Sequence, residues 1–392
     1  MSRIRVVFSI GELHGGGSER QIVNALIHLD RRRFEPHLYL VYRSGPLLPL
    51  VPDDVPITSF EERDDRSPSL IPGSMHRRRV RDMQRFLQEL QPDVSYDRTF
   101  LMTLIAADAA QRVGIPNVST VVTDPQRGFA PVAGRWQSIK RRRLGQLYHR
   151  SNAVLAVSAG AARSAEAFYG LRPNSVVTQY NGVDVNRVRI AASSDVDSPW
   201  WNAPPKQDSR LVRIVSAGRL NHDKGFHLLI DAVDRLQSQY PAVEFRLAVL
   251  GEGPSRRQLQ DQIDRLQLTE HVSLTGFREN APAWYRSADL FVLASLVEGL
   301  PNVLLEAMVC GTPVVSTRCQ HGPEEILANG KFGILCGMSA DSLSAAIGEF
   351  VQNPSTAGQQ ASAADQHVES MFSQTAAIHR LEAILDSAVR RK

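Results

Sequence analysis

Cysteine is scarce in this sequence. The 392 residues hold three, Cys310, Cys319 and Cys336, none in C-x-x-C spacing, which excludes a disulfide framework and a cysteine zinc site and suits a reducing compartment. Aromatic residues make up only 7% of the chain and do not interleave with its basic clusters, so no nucleic-acid partner is expected. No stretch approaches the ~18 uninterrupted apolar residues of a membrane span. The opening M-S-R-I-R-V-V-F-S-I carries only a short apolar run that reads as a first strand. The expectation is therefore a cytoplasmic protein with neither a signal peptide nor a spanning helix. A G-x-G-x-x-G fingerprint is missing as well. The glycine stretch near the start reads G-E-L-H-G-G-G, and no acidic residue stands cleanly at the end of a second strand, which argues against a dinucleotide-dependent oxidoreductase. Acid pairs of the D-x-D type are absent from the strand ends, so no metal is expected, and no organic cofactor either.

What is present is a 43% hydrophobic chain, enough for two domains with substantial cores. Short apolar runs alternate with helical patterns, which implies α/β domains with parallel sheets covered on both faces. Strands are expected near Ile4–Ile10, His37–Tyr42, Pro56–Phe60, Asp93–Tyr96, Asn117–Val122, Ala153–Ser158 and Val176–Tyr180, then at Leu211–Ser216, Glu244–Leu250, His271–Thr275 and Asp289–Ser295. The division expected is 1–190 as a first Rossmann-like domain, 191–209 as a linker rich in Ser, Asp, Pro and Trp, 210–374 as a second such domain, and 375–392 as a C-terminal helix. Residues 61–74, acidic and then Ser/Pro-rich, read as a mobile loop. Charge is uneven. Residues 1–190 hold 27 Lys and Arg against 18 Asp and Glu, a net +9, which leaves 18 against 23, a net −5, for the remainder. Basic runs at Arg77–Arg79 and Lys140–Arg143 contribute to the first half, whose positive charge suits reversible contact with an anionic membrane surface.

Three stretches carry the chemistry. Gly15, Gly16 and Gly17 sit between a strand and a helix, with Ser18 read as the helix cap, an arrangement that accepts phosphate or an acceptor group. After Leu211–Ser216 comes A-G-R-L-N-H-D-K-G-F, where Arg219 and Lys224 place two positive charges at a strand end, a spacing that suits a diphosphate clamp. The stretch Ala294–Thr317 reads strand, loop, helix, strand. Pro301 opens its helix and Gly311 and Pro313 close it. Glu298 stands at the helix mouth. Glu306, surrounded by apolar residues, is expected to be a buried carboxylate in the second turn, and backbone N–H groups at Leu300, Asn302 and Val303 lie between the two.

The run E-G-L-P-N-V-L-L-E resembles the E-x7-E signature of the family 4 retaining glycosyltransferases. G-R-L-x3-K-G around Arg219 and Lys224 and H-G-P-E-E-I at His321–Ile326 are similar to other elements of that family. The resemblance implies a GT-B fold, two Rossmann-like domains facing each other across a cleft. The first domain would bind the acceptor, the second the nucleotide sugar, and the last helix would pack back on the first domain. It implies that Glu298, with Gly299 and Leu300, faces the donor sugar, that Glu306 binds the ribose, and that Arg219 and Lys224 bind the donor phosphates. Phe277 and Arg278 would then neighbour the base, and Gly16 and Gly17 would line the phosphate and acceptor region. Many members place a histidine after the fifth strand, where this chain has Thr123 and Asp124. Asp124 is left either to accept a hydrogen bond from substrate or to cap the next turn. The partners implied are a nucleotide sugar, UDP- or GDP-linked, and a lipid-linked or polysaccharide-precursor acceptor. A nucleotide-sugar epimerase and a non-catalytic nucleotide-sugar-binding protein are the rival readings. The first needs an acid pair for water chemistry at the sugar, and the intact Glu298 argues against the second.

Overall fold

The computed structural model describes residues 3–64, 71, 73–206 and 209–390. The chain forms two compact units, Met1–Gly182 completed by Gln374–Lys392, and Val183–Ser373. In the first, β1 (Ile4–Ile10), β2 (Phe34–Leu40), β3 (Ile57–Ser59), β4 (Val94–Arg98), β5 (Asn117–Val121), β6 (Ala153–Ala156) and β7 (Val176–Thr178) build one parallel sheet in the order β3-β2-β1-β4-β5-β6-β7. Strand alternation divides β1 between two cores. Val6, Phe8 and Ile10 meet Ile22 and Leu26 of the helix Gly17–His28 and Ile378, Leu381 and Leu385 of the C-terminal helix Gln374–Arg390. Val7 faces the opposite way, toward Met83 and Leu87 of the helix Ser74–Leu90 and Ile105 of the helix Phe100–Val113. The C-terminal helix is also held by charge: buried Glu382 accepts from the Asp30 backbone N–H at 2.8 Å and pairs with Arg33 at 3.0 Å.

The second unit holds β8 (Arg210–Ala217), β9 (Val243–Leu250), β10 (Val272–Gly276), β11 (Leu290–Leu293), β12 (Val314–Thr317) and β13 (Ile334–Cys336), again all parallel, in the order β10-β9-β8-β11-β12-β13. Residues 191–209, expected as a linker, belong to this unit as far as they are described. Trp201 is fully buried against Trp284, ring centroids 5.3 Å apart, and its indole N–H donates to Ser287 at 2.9 Å. Arg246, itself buried and paired with Glu244, donates to the carbonyls of Trp200, Ala203 and Pro204. A polar, Pro-rich composition thus hid an anchored segment. Elements with no expectation include the short strand β13 and the helices Val185–Ala192, Pro199–Asn202 and Pro354–Phe372. The loop expected at 61–74 falls largely on residues outside the described set, and Phe60–Arg63 is a helical turn.

Candidate active site

In the second unit the strand order reverses between β8 and β11, and ligands of such sheets bind beyond the carboxyl ends of the strands at that point. The loops after β8 and β11 meet there. His222–Lys224 form a single 3-10 turn ended by Gly225 at φ +64°. A Cβ at Gly225 would stand 2.0 Å from the carbonyl oxygen of Ala294, so only glycine allows the approach. The Leu296 N–H closes the junction by donating to the Asp223 carbonyl at 2.8 Å. The consequence is a tight ionic contact: the Lys224 ammonium lies 2.6 Å from Glu298, whose carboxylate also accepts the Ser295 hydroxyl at 2.7 Å. Thr317, at the end of β12, donates to the Ser295 carbonyl at 2.5 Å and fixes the third loop against the other two. Arg219 projects from the same loop as Lys224, exposed and with no ion pair among the described residues.

The helix expected after Pro301 runs Asn302–Val309, with Pro301 as N-cap and no side chain capping it. Its first N–H groups point at the loop that carries Glu298, which favours an anion there. Leu304, Leu305, Ala307 and Met308 are buried, whereas Asn302, Val303 and Glu306 are only partly so. Glu306 is therefore not the buried carboxylate expected. Positions i, i+1 and i+4 share one face, and that face is left partly open. Gly299 and Leu300 are buried in the loop. Their backbone is backed by Gly322, where a Cβ would come within 2.7 Å of the Gly299 oxygen. His321, before it, takes φ +83°, a strained backbone for a residue with a side chain. On the far side of β8, Gly251 donates to the Gly276 carbonyl at 2.8 Å. Phe277 follows, 67% exposed, and Arg278 lies with its guanidinium 5.6 Å from the centroid of the Trp284 ring.

In the first unit Gly16 is the N-cap of the helix Gly17–His28, with no side-chain cap. Ser18, expected to cap, lies inside the first turn. The Glu19 carboxylate reaches back instead, 2.4 Å from where a Gly16 Cβ would stand. Asp124 is 1% exposed, accepts from the Gln126 N–H at 3.0 Å and from the Ser164 hydroxyl, and caps the helix Pro125–Ala133. Of the two roles the sequence left open for Asp124, capping the next turn is the one visible here. Among the described residues no group of three or more His, Cys, Asp or Glu gathers to hold a metal ion. The thiols of Cys310, Cys319 and Cys336 are each pushed up to about 12 by burial, away from reactive thiolate character. Ser295, Thr317 and Gly225 were missed in the sequence, where a lone Ser at a strand end and a Gly before a helix carry no sign of their partners.

Comparison with known proteins bears on both units. Residues 15–187 match the model of Glycosyltransferase Family 4, and residues 212–353 match that of Glycosyl transferases group 1. The two units have the fold of the two domains of GT-B glycosyltransferases. Among solved structures, the Anabaena protein HepE in complex with UDP and glucose superposes with a TM-score of 0.78 at 21% identity, over 98% of this chain and 100% of that one, a likeness of fold. An uncharacterized glycosyltransferase of Methanocaldococcus jannaschii is 37% identical over 134 residues, 31% of this chain and 32% of the relative. The N-acetylgalactosamine-N,N'-diacetylbacillosaminyl-diphospho-undecaprenol 4-alpha-N-acetylgalactosaminyltransferase of Campylobacter jejuni is 30% identical over 192 residues, 49% of this chain and 48% of the relative. The chain thus spans about half or less of the length of these two glycosyltransferases.

Proposed function

We propose that this chain is a retaining, metal-independent glycosyltransferase that moves a sugar from a UDP- or GDP-linked donor to a lipid-linked or polysaccharide-precursor acceptor. The observation that carries the reading is the junction of Lys224, Glu298 and Ser295 at the carboxyl ends of β8 and β11, with Arg219 beside it and an uncapped helix N-terminus behind. That is a place for a diphosphate with a polar group next to it. UDP and glucose in the HepE structure, and a diphospho-undecaprenol acceptor in the name of the Campylobacter relative, support the substrate classes.

In this reading the donor diphosphate draws the Lys224 ammonium from Glu298 and recruits Arg219. The freed carboxylate, still oriented by Ser295, then accepts from a sugar hydroxyl. Glu306, on the open face of its helix, accepts from the ribose, and Phe277 and Arg278 border the base. The bond from the anomeric carbon to the phosphate oxygen breaks, the bond to the acceptor oxygen forms on the same face, and the acceptor proton passes to the departing phosphate. The two cations and the helix N-terminus stabilise the charge that develops on that phosphate. Gly16 and Gly17, at the helix N-terminus of the first unit, receive a polar group of the acceptor.

The test is a panel of nucleotide sugars in thermal unfolding, followed by each stabilising donor incubated alone. A donor at 100 times its dissociation constant adds about 2.7 kcal/mol, and slow hydrolysis with retained configuration is the expected product. Epimer formation would install the rival enzyme. Stabilisation without hydrolysis or transfer to any acceptor would make the chain a binding protein, and no stabilisation by any donor would overturn the reading.

A further inference from the structure

Three apolar side chains stand in solvent at one corner of the first unit, where the helix Pro125–Ala133 turns into the helix Gln137–Arg150. Val132 is 60% exposed, Trp136 63% and Ile139 63%. The corner is fixed. Lys140 donates to the Ala133 carbonyl at 2.6 Å and Gln137 to the Ala130 carbonyl at 3.2 Å, and Trp136 is held at φ +69°, a conformation an aromatic residue rarely takes. Ala133, Gly134, Arg135, Trp136 and Lys140 also line a surface depression.

The sequence that builds this corner carries charge of one sign. No Asp or Glu occurs from residue 125 to residue 165, a stretch with eight Lys and Arg. The structure sorts the two basic runs noticed in the sequence. Arg78 is buried against Asp64 at 2.6 Å and Arg143 pairs with Asp108 at 2.7 Å, so a carboxylate neutralises each. Lys140 donates to a carbonyl, and Arg141 donates to the Phe168 carbonyl with its guanidinium 4.3 Å from the centroid of that ring. Neither partner cancels a charge. Arg135 and Arg142 are exposed. Four cations therefore surround an apolar knob.

We infer that the corner Val132–Arg142 is a membrane-docking site, with Val132, Trp136 and Ile139 entering the interface of a bilayer and Arg135, Lys140, Arg141 and Arg142 meeting anionic headgroups. An exposed tryptophan flanked by aliphatic and basic residues matches the boundary between headgroups and acyl chains. Nucleic acid would satisfy the cations but offers no layer for valine and isoleucine. A stable protein interface takes about 20–30 residues a side, far more than this corner supplies. The charge asymmetry alone implied reversible attachment that weakens with salt. The apolar knob adds a part that salt does not screen. The site uses none of the residues of the donor pocket.

Sedimentation of the full chain with phosphatidylcholine vesicles, with and without phosphatidylglycerol, at low and high salt, tests this. Wild type binds the anionic vesicles and keeps a measurable fraction bound at high salt. Brominated acyl chains quench part of its tryptophan emission and Trp136→Ser loses that quenching, because Trp136 is exposed while Trp200 is partly buried and Trp201 and Trp284 are buried. Ile139→Glu and Trp136→Ser each lower the partition coefficient about tenfold, the effect of withholding one large apolar side chain from the interface. Paired Arg135→Glu and Arg142→Glu substitutions lower it mainly at low salt. Donor hydrolysis stays unchanged in all of them, which separates this site from the transfer chemistry. Wild type that ignores anionic vesicles at low salt, bound protein without quenching, or Ile139→Glu binding as well as wild type would each overturn the inference. A dimer in ultracentrifugation that Ile139→Glu dissolves would reassign the knob to contact between copies.

Discussion

Single side chains in this protein differ in how separable their roles are. Arg219 and Lys224 have the same proposed partner, yet Lys224 also neutralises a 9% exposed carboxylate, and Arg219 pairs with no carboxylate among the described residues. Arg219→Ala is expected to lower turnover by roughly 10²–10³-fold with unchanged unfolding, as for loss of one charge-stabilising donor. Lys224→Ala is expected to lose activity similarly and also about 1–3 kcal/mol of stability, because Glu298 is left without its cation. Adding Glu298→Gln to Lys224→Ala restores most of that stability and none of the activity. Near-normal turnover in Arg219→Ala would sink the phosphate assignment. A second isolated group lies in the first unit. Asp97 is fully buried, accepts from the hydroxyls of Ser119 at 2.7 Å and of Thr103, and burial raises its carboxyl from 3.8 to about 7. Folding therefore favours the protonated form. The stability it contributes is fully present below about pH 4 and lost as pH rises to about 7, a change on the order of 4 kcal/mol. Urea unfolding of Asp97→Asn against wild type should show a difference that grows in favour of the variant across that window. A difference independent of pH would mean that Asp97 does not titrate there.

Elements were legible where their pattern was self-contained. The strands with long buried runs, such as β9 (V-E-F-R-L-A-V-L), could be read directly, and so could the Pro301-to-Gly311 helix. β13 escaped because three partly buried residues have no period. The helix Pro354–Phe372 escaped because Ala, Ser and Gln dominate it and it buries mostly alanines. Trp201 lay in a stretch with the composition of a linker, and its burial is explained by Trp284 and Ser287, far later in sequence. The site was legible in its charged residues and illegible in its joints. Arg219, Lys224 and Glu298 announce themselves by type and spacing, whereas the junction of the loops after β8 and β11 rests on glycine φ values and backbone bonds. That junction makes a prediction. Gly225→Ala must move the Ala294 carbonyl or leave the left-handed turn, so it should cost roughly 1–3 kcal/mol and weaken binding of the free nucleoside diphosphate. Gly311→Ala has the same handedness, φ +70°, but open space around it, so it should cost about 1 kcal/mol and spare the nucleotide. Equal effects of the two on nucleotide affinity, measured by calorimetry, would show that the close approach is not what sets the site.

At the scale of the molecule the two units differ in how the chain supplies them. Val183–Ser373 is one continuous segment with its own sheet and core, whereas the first unit needs both 1–182 and the helix Gln374–Arg390. A fragment of residues 183–373 is therefore expected to unfold cooperatively and to bind the nucleoside diphosphate with an affinity within a few-fold of the full chain. A fragment of residues 1–182 is expected to bind hydrophobic dye and lack a cooperative transition. Circular dichroism melts and calorimetry check both, and a well-folded 1–182 would show that the last helix is dispensable. The order of synthesis gives this layout a further meaning. The β1 side that Ile378, Leu381 and Leu385 cover leaves the ribosome before the second unit, and that cover leaves after it. Through the whole translation of the second unit, that face has only the helix Gly17–His28 to cover it, so the unit that is begun first finishes folding second. A nascent chain stalled before residue 374 would present that face to chaperones and proteases, so loss of the segment from residue 374 onward would appear as misfolding of the unit that contains residues 3–182.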